Sequence, residues 1–158
     1  MSWFRKSPPL APFAPFADAL EAFSVTLPLD VRRTFERQRD YASLEVDAPT
    51  PAHRKLVVDI AKADCEYRLG ALWTEQILPT PDACQRMLAM CDAVRDGRVR
   101  EVRDRRTRLI YHLYRLKTRG LDTWQRDSEY AFRHYFRLPV RKVEIHRLPP
   151  LTMSETQA

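Results

Sequence analysis

Glycine is almost missing from this chain, which has 3 in 158 residues, at positions 70, 97 and 120. Phosphate-cradling loops and tight strand-to-helix turns depend on glycine, because only glycine reaches positive φ cheaply. No GxGxxG or Walker-type loop can be written, which argues against the common nucleotide-binding folds. Cysteine is equally scarce, at 3, too few for a disulfide-built secreted domain. No stretch approaches the roughly 18 apolar residues of a membrane span. The opening Met-Ser-Trp-Phe-Arg-Lys, followed by prolines at 8, 9, 12 and 15, lacks the apolar run of a signal peptide. HExxH, ExxH and a serine nucleophile elbow are missing as well. His53, His112, His134 and His146 sit on separate segments with no cysteine or carboxylate in ligand register. These absences predict an intracellular, non-enzymatic protein with no cofactor, no metal and no transmembrane span. They are compatible with peripheral association with a membrane complex.

What is abundant is proline, at 12, and arginine, which with 22 outnumbers lysine at 5. Guanidinium docks phosphate or carboxylate in a bidentate fork, although a GC-rich genome raises arginine, alanine and proline too. The positive charge is local. Residues 1–97 hold 12 basic and 14 acidic side chains, whereas residues 98–147 hold 15 and 6. Local charge is what a partner meets first.

Apolar periodicity predicts a mainly α-helical domain of five to six helices over residues 16–138. An extended proline-rich arm, residues 1–15, and an extended or β-like tail, residues 139–158, flank it. Phe16, Ala19, Leu20 and Phe23 share one face of a first helix. A second is expected from about Pro28 to Leu44. A long one follows from Pro51 to Leu78, with Leu56, Ile60, Ala63, Tyr67 and Ala71 as its stripe and Trp73 off it. Asp59, Asp64 and Glu66 on that helix are expected to be ordinary solvated charges. Thr80-Pro81-Asp82 places an N-cap, a proline at N1 and an acid in the first turn of a helix closed by Gly97. Cys84 and Cys91 lie seven apart on it, about 10 Å along the axis, beyond disulfide reach. Both fall on its apolar face, so buried thiols are expected. Further helices are expected from Val99 to Arg119 and from Thr123 to Arg137. In the tail, Val143 and Ile145 alternate with Lys142, Glu144 and His146, a strand pattern. Such a segment is either an extended tail or an added strand on another chain's sheet.

On the helix from Val99 to Arg119, Arg108, His112, Arg115 and Arg119 line up at helical spacing. Arg126, Arg133 and Arg137 repeat the row on the next. With Trp3 and Phe4 of the arm, Trp73, and Val143 and Ile145 of the tail, these rows form the expected partner-binding set. The favoured reading is a structural or accessory subunit of a larger assembly, such as a respiratory or ribosomal complex, docking on other subunits with acidic surfaces. The competing one is an RNA- or DNA-binding protein using the basic face of residues 98–137.

The segment Leu109–Arg119 resembles the LYR helix of the LYR-motif mitochondrial proteins. It carries Leu113-Tyr114-Arg115, a following basic residue at Arg119, and a downstream Phe136-Arg137 pair. The resemblance implies a small basic helical accessory subunit of mitochondrial respiratory complexes, with Arg115 and Arg119 docking an acyl carrier protein. The motif lies about 110 residues into this chain, whereas in the family it opens the first helix.

Overall fold

The structure is a computed structural model describing residues 8–71, 77–105, 110–118, 121–126 and 143–151, with side chains undescribed at 118 and 121–126. The order along the chain is α1 (Phe13–Thr26), β1 (Arg33–Arg37), β2 (Tyr41–Val46), β3 (Leu56–Ala61), β4 (Cys65–Leu69), α2 (Pro81–Arg95), β5 (Val99–Asp104), β6 (Ile110–Thr118), β7 (Leu121–Arg126) and β8 (Val143–Arg147). Among the described residues there are therefore two helices and eight strands, in two antiparallel four-stranded sheets ordered β1-β2-β3-β4 and β7-β6-β5-β8. The expected all-α fold is overturned.

Both described helices were expected from the sequence, although α1 begins at Phe13, inside the segment expected to be an extended arm. α1 buries Phe16, Ala17, Leu20 and Phe23. α2 starts as the Thr80-Pro81-Asp82 pattern predicts, with Thr80 Oγ1 accepting from the Ala83 N–H at 3.3 Å. Its buried side includes Cys84, Met87, Met90, Cys91 and Val94, so both of its cysteines are interior.

Where helices were expected over 28–44, 51–78 and 99–119, the described residues form the strand pairs β1–β2, β3–β4 and β5–β6 instead, and 121–126 is a strand. The stripe Leu56, Ile60, Tyr67 is compatible with helical spacing, but Leu56, Val58, Ile60 and Cys65, Tyr67, Leu69 also alternate at period two and are all buried. Tertiary pairing decides between the two periods. In register, Leu56 meets Leu69, Val58 meets Tyr67 and Ile60 meets Cys65 across β3 and β4, making cross-strand pairs that a lone helix lacks. β2 follows the same rule, with Ala42, Leu44 and Val46 inward. α1 covers this first sheet and is pinned at its rim by Arg37, whose Nη1 donates to Asp18 at 2.6 Å and to Glu21 at 3.4 Å.

The second sheet contributes Val99, Tyr114 and Leu116 to the same core, which also takes in α1, α2 and the first sheet. Tyr67 of β4 and Tyr114 of β6 meet edge to face, with ring centroids 5.9 Å apart, and so link the two sheets. The Leu113-Tyr114-Arg115 tripeptide is therefore strand, not helix. Tyr114 points into the core and Arg115 out of it, which removes the geometry that a LYR helix requires. The tail strand also finds its ladder within the chain. β8 pairs antiparallel with β5, from Arg100 opposite Arg147 to Asp104 opposite Val143.

Leu148 and Leu151 then fold back into the core, held by N–H donation to Val99 O at 3.0 Å and Arg95 O at 2.8 Å. This clasp depends on Gly97. Its φ is +68°, and a Cβ built there would lie 2.7 Å from the Pro150 backbone nitrogen. Gly97→Ala is expected to cost about 1–2 kcal/mol for the left-handed backbone alone, with a further loss from displacing residues 148–151. Gly70→Ala is the control. It shares the positive φ, but its Cβ would meet Arg54 Cδ at 3.2 Å, a side-chain contact that eases with a shift of a few tenths of an ångström, and no backbone atom. Urea denaturation midpoints of both variants check the difference, with Gly97→Ala the lower.

Candidate docking surface

Strand alternation sorts the second sheet into two faces. Toward the core lie Val99, Glu101 and Arg103 of β5, with His112, Tyr114 and Leu116 of β6. Register places Glu144 and His146 of β8 on this side, opposite Arg103 and Glu101. On the opposite face lie Arg100, Val102 and Asp104, then Tyr111, Leu113, Arg115 and Lys117, then Val143, Ile145 and Arg147. Val102 is buried yet is not part of the main core, in keeping with that placement.

Among the described side chains of β5, β6 and β8, four cations thus share the outer face, against one acid, Asp104, which is buried. Arg115, Lys117 and Arg147 are exposed, and Arg100 is half-buried. Arg100 and Arg147 are direct cross-strand partners. Like charges so placed oppose folding by a few tenths of a kcal/mol or more. Arg100 and Arg115 also keep contacts within the chain. Among the cations stand Val143 and Ile145, 40 % and 56 % exposed, with Leu113 half-buried.

The inner side is braced by a charged node. Arg54, from the loop between β2 and β3, donates through Nε to Glu101 Oε2 at 2.6 Å and through Nη2 to Oε1 at 2.9 Å. Arg103 Nε donates to the same carboxylate at 2.7 Å, and His112 Nε2 lies 3.4 Å from Oε2. Glu101 and His112 are buried, whereas Arg54 and Arg103 keep part of their side chains in water. The His112 hydrogen bond, working against burial and joined by Arg54 and Arg103, holds the Glu101 carboxyl well below the usual range. At neutral pH it is an ion-pair anchor and not a proton donor. At the edge of the node Glu144 accepts from Arg105, with His146 Nε2 3.7 Å away.

The cysteines offer no nucleophile. Burial pushes Cys65 up to about 12 and Cys84 up to about 11, and raises Cys91 as well, so all three stay protonated at neutral pH. Among the described residues no group of three or more His, Cys, Asp or Glu is arranged to hold a metal ion, and no helix is long and apolar enough to cross a membrane. A cleft of about 280 Å³ opens at the β3–β4 hairpin, lined by Tyr41, Asp59, Asp64, Cys65 and Glu66 among others. There Asp59 accepts from Tyr41 at 2.8 Å and Ser43 at 2.6 Å, and Arg68 sits 3.3 Å from Glu66.

The helical row 108/112/115/119 does not exist as a row. His112 is 1 % exposed on the inner face of β6, while Arg115 is exposed on the outer one. Val143 and Ile145 join Arg115 on that outer face. Arg126 ends β7 with its backbone in register with Leu113. Arg108, Arg119, Arg133, Arg137, Trp3, Phe4 and Trp73 lie outside the described residues. Helical spacing missed Arg100, Lys117 and Arg147. The signal that finds them is alternation. Tyr111, Leu113, Arg115 and Lys117 form one odd-numbered set, and His112, Tyr114 and Leu116 form the buried even-numbered set.

Comparison of the chain with protein-family models, with curated proteins and with solved structures finds no match.

Proposed function

We propose that the chain is a non-catalytic docking subunit that receives an acidic protein surface on the outer face of β5, β6 and β8. The observation that carries this reading is the gathering of Arg100, Arg115, Lys117 and Arg147 on one face, interleaved with exposed Val143 and Ile145. Arginine beside exposed apolar groups is the composition of protein interfaces, where guanidinium supplies directed contacts and the apolar groups supply burial. A face meant only to stay in water would not retain exposed valine and isoleucine along its edge strand, nor oppose Arg100 to Arg147.

Polyglutamate is a suitable probe of the charge half of this reading. The intact chain is expected to bind it with an affinity that falls with salt. Arg115→Ala/Lys117→Ala/Arg147→Ala should lose about tenfold to a hundredfold, since each exposed ion pair contributes up to about 1 kcal/mol. Equal binding by the triple variant would overturn the reading. Random-sequence RNA bound far more tightly than polyglutamate, with a steep salt slope, would move the assignment to nucleic acid.

A further inference from the structure

We infer that the acidic surface received by the basic face is the outer face of the first sheet on a second copy of this chain, so that copies associate head to tail. The inference rests on the docking reading above and adds the identity of the partner. Its basis is that one chain carries both halves of a complementary pair.

Register places Glu36 of β1, Glu45 of β2, Asp59 of β3 and Glu66 of β4 on the side of the first sheet away from the core, with Thr34, Tyr41, Ser43, Val57 and Arg68. Lys55, immediately before β3, reaches Glu45 at 2.7 Å. That face therefore carries four acids and two bases, while among the described side chains of β5, β6 and β8 the outer face of the second sheet carries four bases and one buried acid. Glu36 and Glu45 are exposed, as are Arg115, Lys117 and Arg147. The 280 Å³ cleft lies on the acidic side, with Asp59, Asp64 and Glu66 in its lining, where a cationic side chain from a facing copy can enter. The first face stays net acidic although Lys55 pairs with Glu45 and Arg68 lies 3.7 Å from Asp59 and 3.3 Å from Glu66, and the second is net basic, so the two attract when set against each other. Because the two patches are different surfaces of one chain, the contact is heterologous. It leaves an unused basic face at one end of a dimer and an unused acidic face at the other, so association continues into a ring or an open chain.

Sedimentation velocity of the full chain tests this. At about 50 mM salt the protein is expected to run as species larger than a monomer, and at about 500 mM to return to monomer, since the attraction is screened. Glu36→Arg/Glu45→Arg on the acidic face and Lys117→Glu/Arg147→Glu on the basic face should each weaken self-association about tenfold or more. Mixed together, the two double variants should associate again, because the intact acidic face of the Lys117→Glu/Arg147→Glu chain meets the intact basic face of the other. Circular dichroism confirms that each variant is folded before it is scored. A wild-type chain that stays monomeric at low salt overturns the inference, as does self-association unchanged in both double variants. If the chain is monomeric yet binds polyglutamate through Arg115, Lys117 and Arg147, the docking reading stands and only the second copy is ruled out as partner.

Discussion

Replacing Arg54 with methionine is expected to destabilise the fold by about 3 kcal/mol or more, the lower end of what breaking a buried ion pair costs. Glu101→Gln should cost roughly half as much. The asymmetry follows from what each change leaves behind. Without Arg54, the Glu101 carboxylate stays 3 % exposed with only Arg103 and His112 to compensate it. Without the Glu101 charge, Arg54 is 22 % exposed and can turn further into solvent. The pH dependence distinguishes the two variants again. Glu101 titrates lower in the folded chain than in the unfolded one. Its contribution is thus complete above the unfolded value of about 4.3 and is lost as pH falls through the folded value. The stability gap between wild type and Glu101→Gln should be widest near neutrality and should close as the medium is acidified below about pH 4. Arg54→Met removes one of the groups depressing the carboxyl, so its acid unfolding should begin at a higher pH than that of wild type. Urea titrations from pH 7 to about pH 3 measure all three chains. A pH-independent gap, or Glu101→Gln costing more than Arg54→Met, would contradict the account.

Tyr114→Ala should be of comparable or greater size, about 3–5 kcal/mol, as for other large aromatic truncations in cores. Tyr114 is 0 % exposed, at the level where α2 covers β6, and its ring meets Tyr67 at 5.9 Å and His112 at 6.3 Å. Truncation therefore removes both edge-to-face partners and opens a hole between the two sheets. Against the 5–15 kcal/mol that holds a typical domain together, the variant should lie near its unfolding transition. A lowered thermal midpoint with loss of the near-ultraviolet tyrosine signal is the expected readout. Tyr114→Phe keeps the ring and should retain most of the stability, which would tie the loss to packing.

Where termination signals were strong, the sequence spoke clearly. Thr80, Pro81 and Asp82 announce α2, and the spacing of Phe16, Leu20 and Phe23 announces α1. The first sheet was hidden because its hairpin turns lack the usual markers. β1 and β2 join through Arg39-Asp40, and β3 and β4 through Lys62-Ala63, with no glycine or asparagine at either turn. Both hairpins of the first sheet therefore turn without glycine. The tie between periods of 3.6 and two could have been broken by β-branched content. Val57, Val58 and Ile60 in β3 are poor company for a helix centre. The basic character of residues 98–147 was legible from composition, because charge needs no fold to be counted. Its direction was not, since a strand sends His112 and Arg115 to opposite faces where a helix would have aligned them.

The pairing of β8 with β5 also sets an order of events during synthesis. The hairpins β1–β2 and β3–β4 are local and can close while the rest of the chain is still being made. β5 emerges with β6 close behind on one side, but its other edge must wait until Val143–Arg147 has been translated. Until then that edge presents unsatisfied N–H and C=O groups beside arginines and exposed apolar side chains, the kind of surface that chaperones hold and that neighbouring chains can capture. Deleting residues 143–151 should therefore reveal itself first as aggregation during expression, before any question of binding arises.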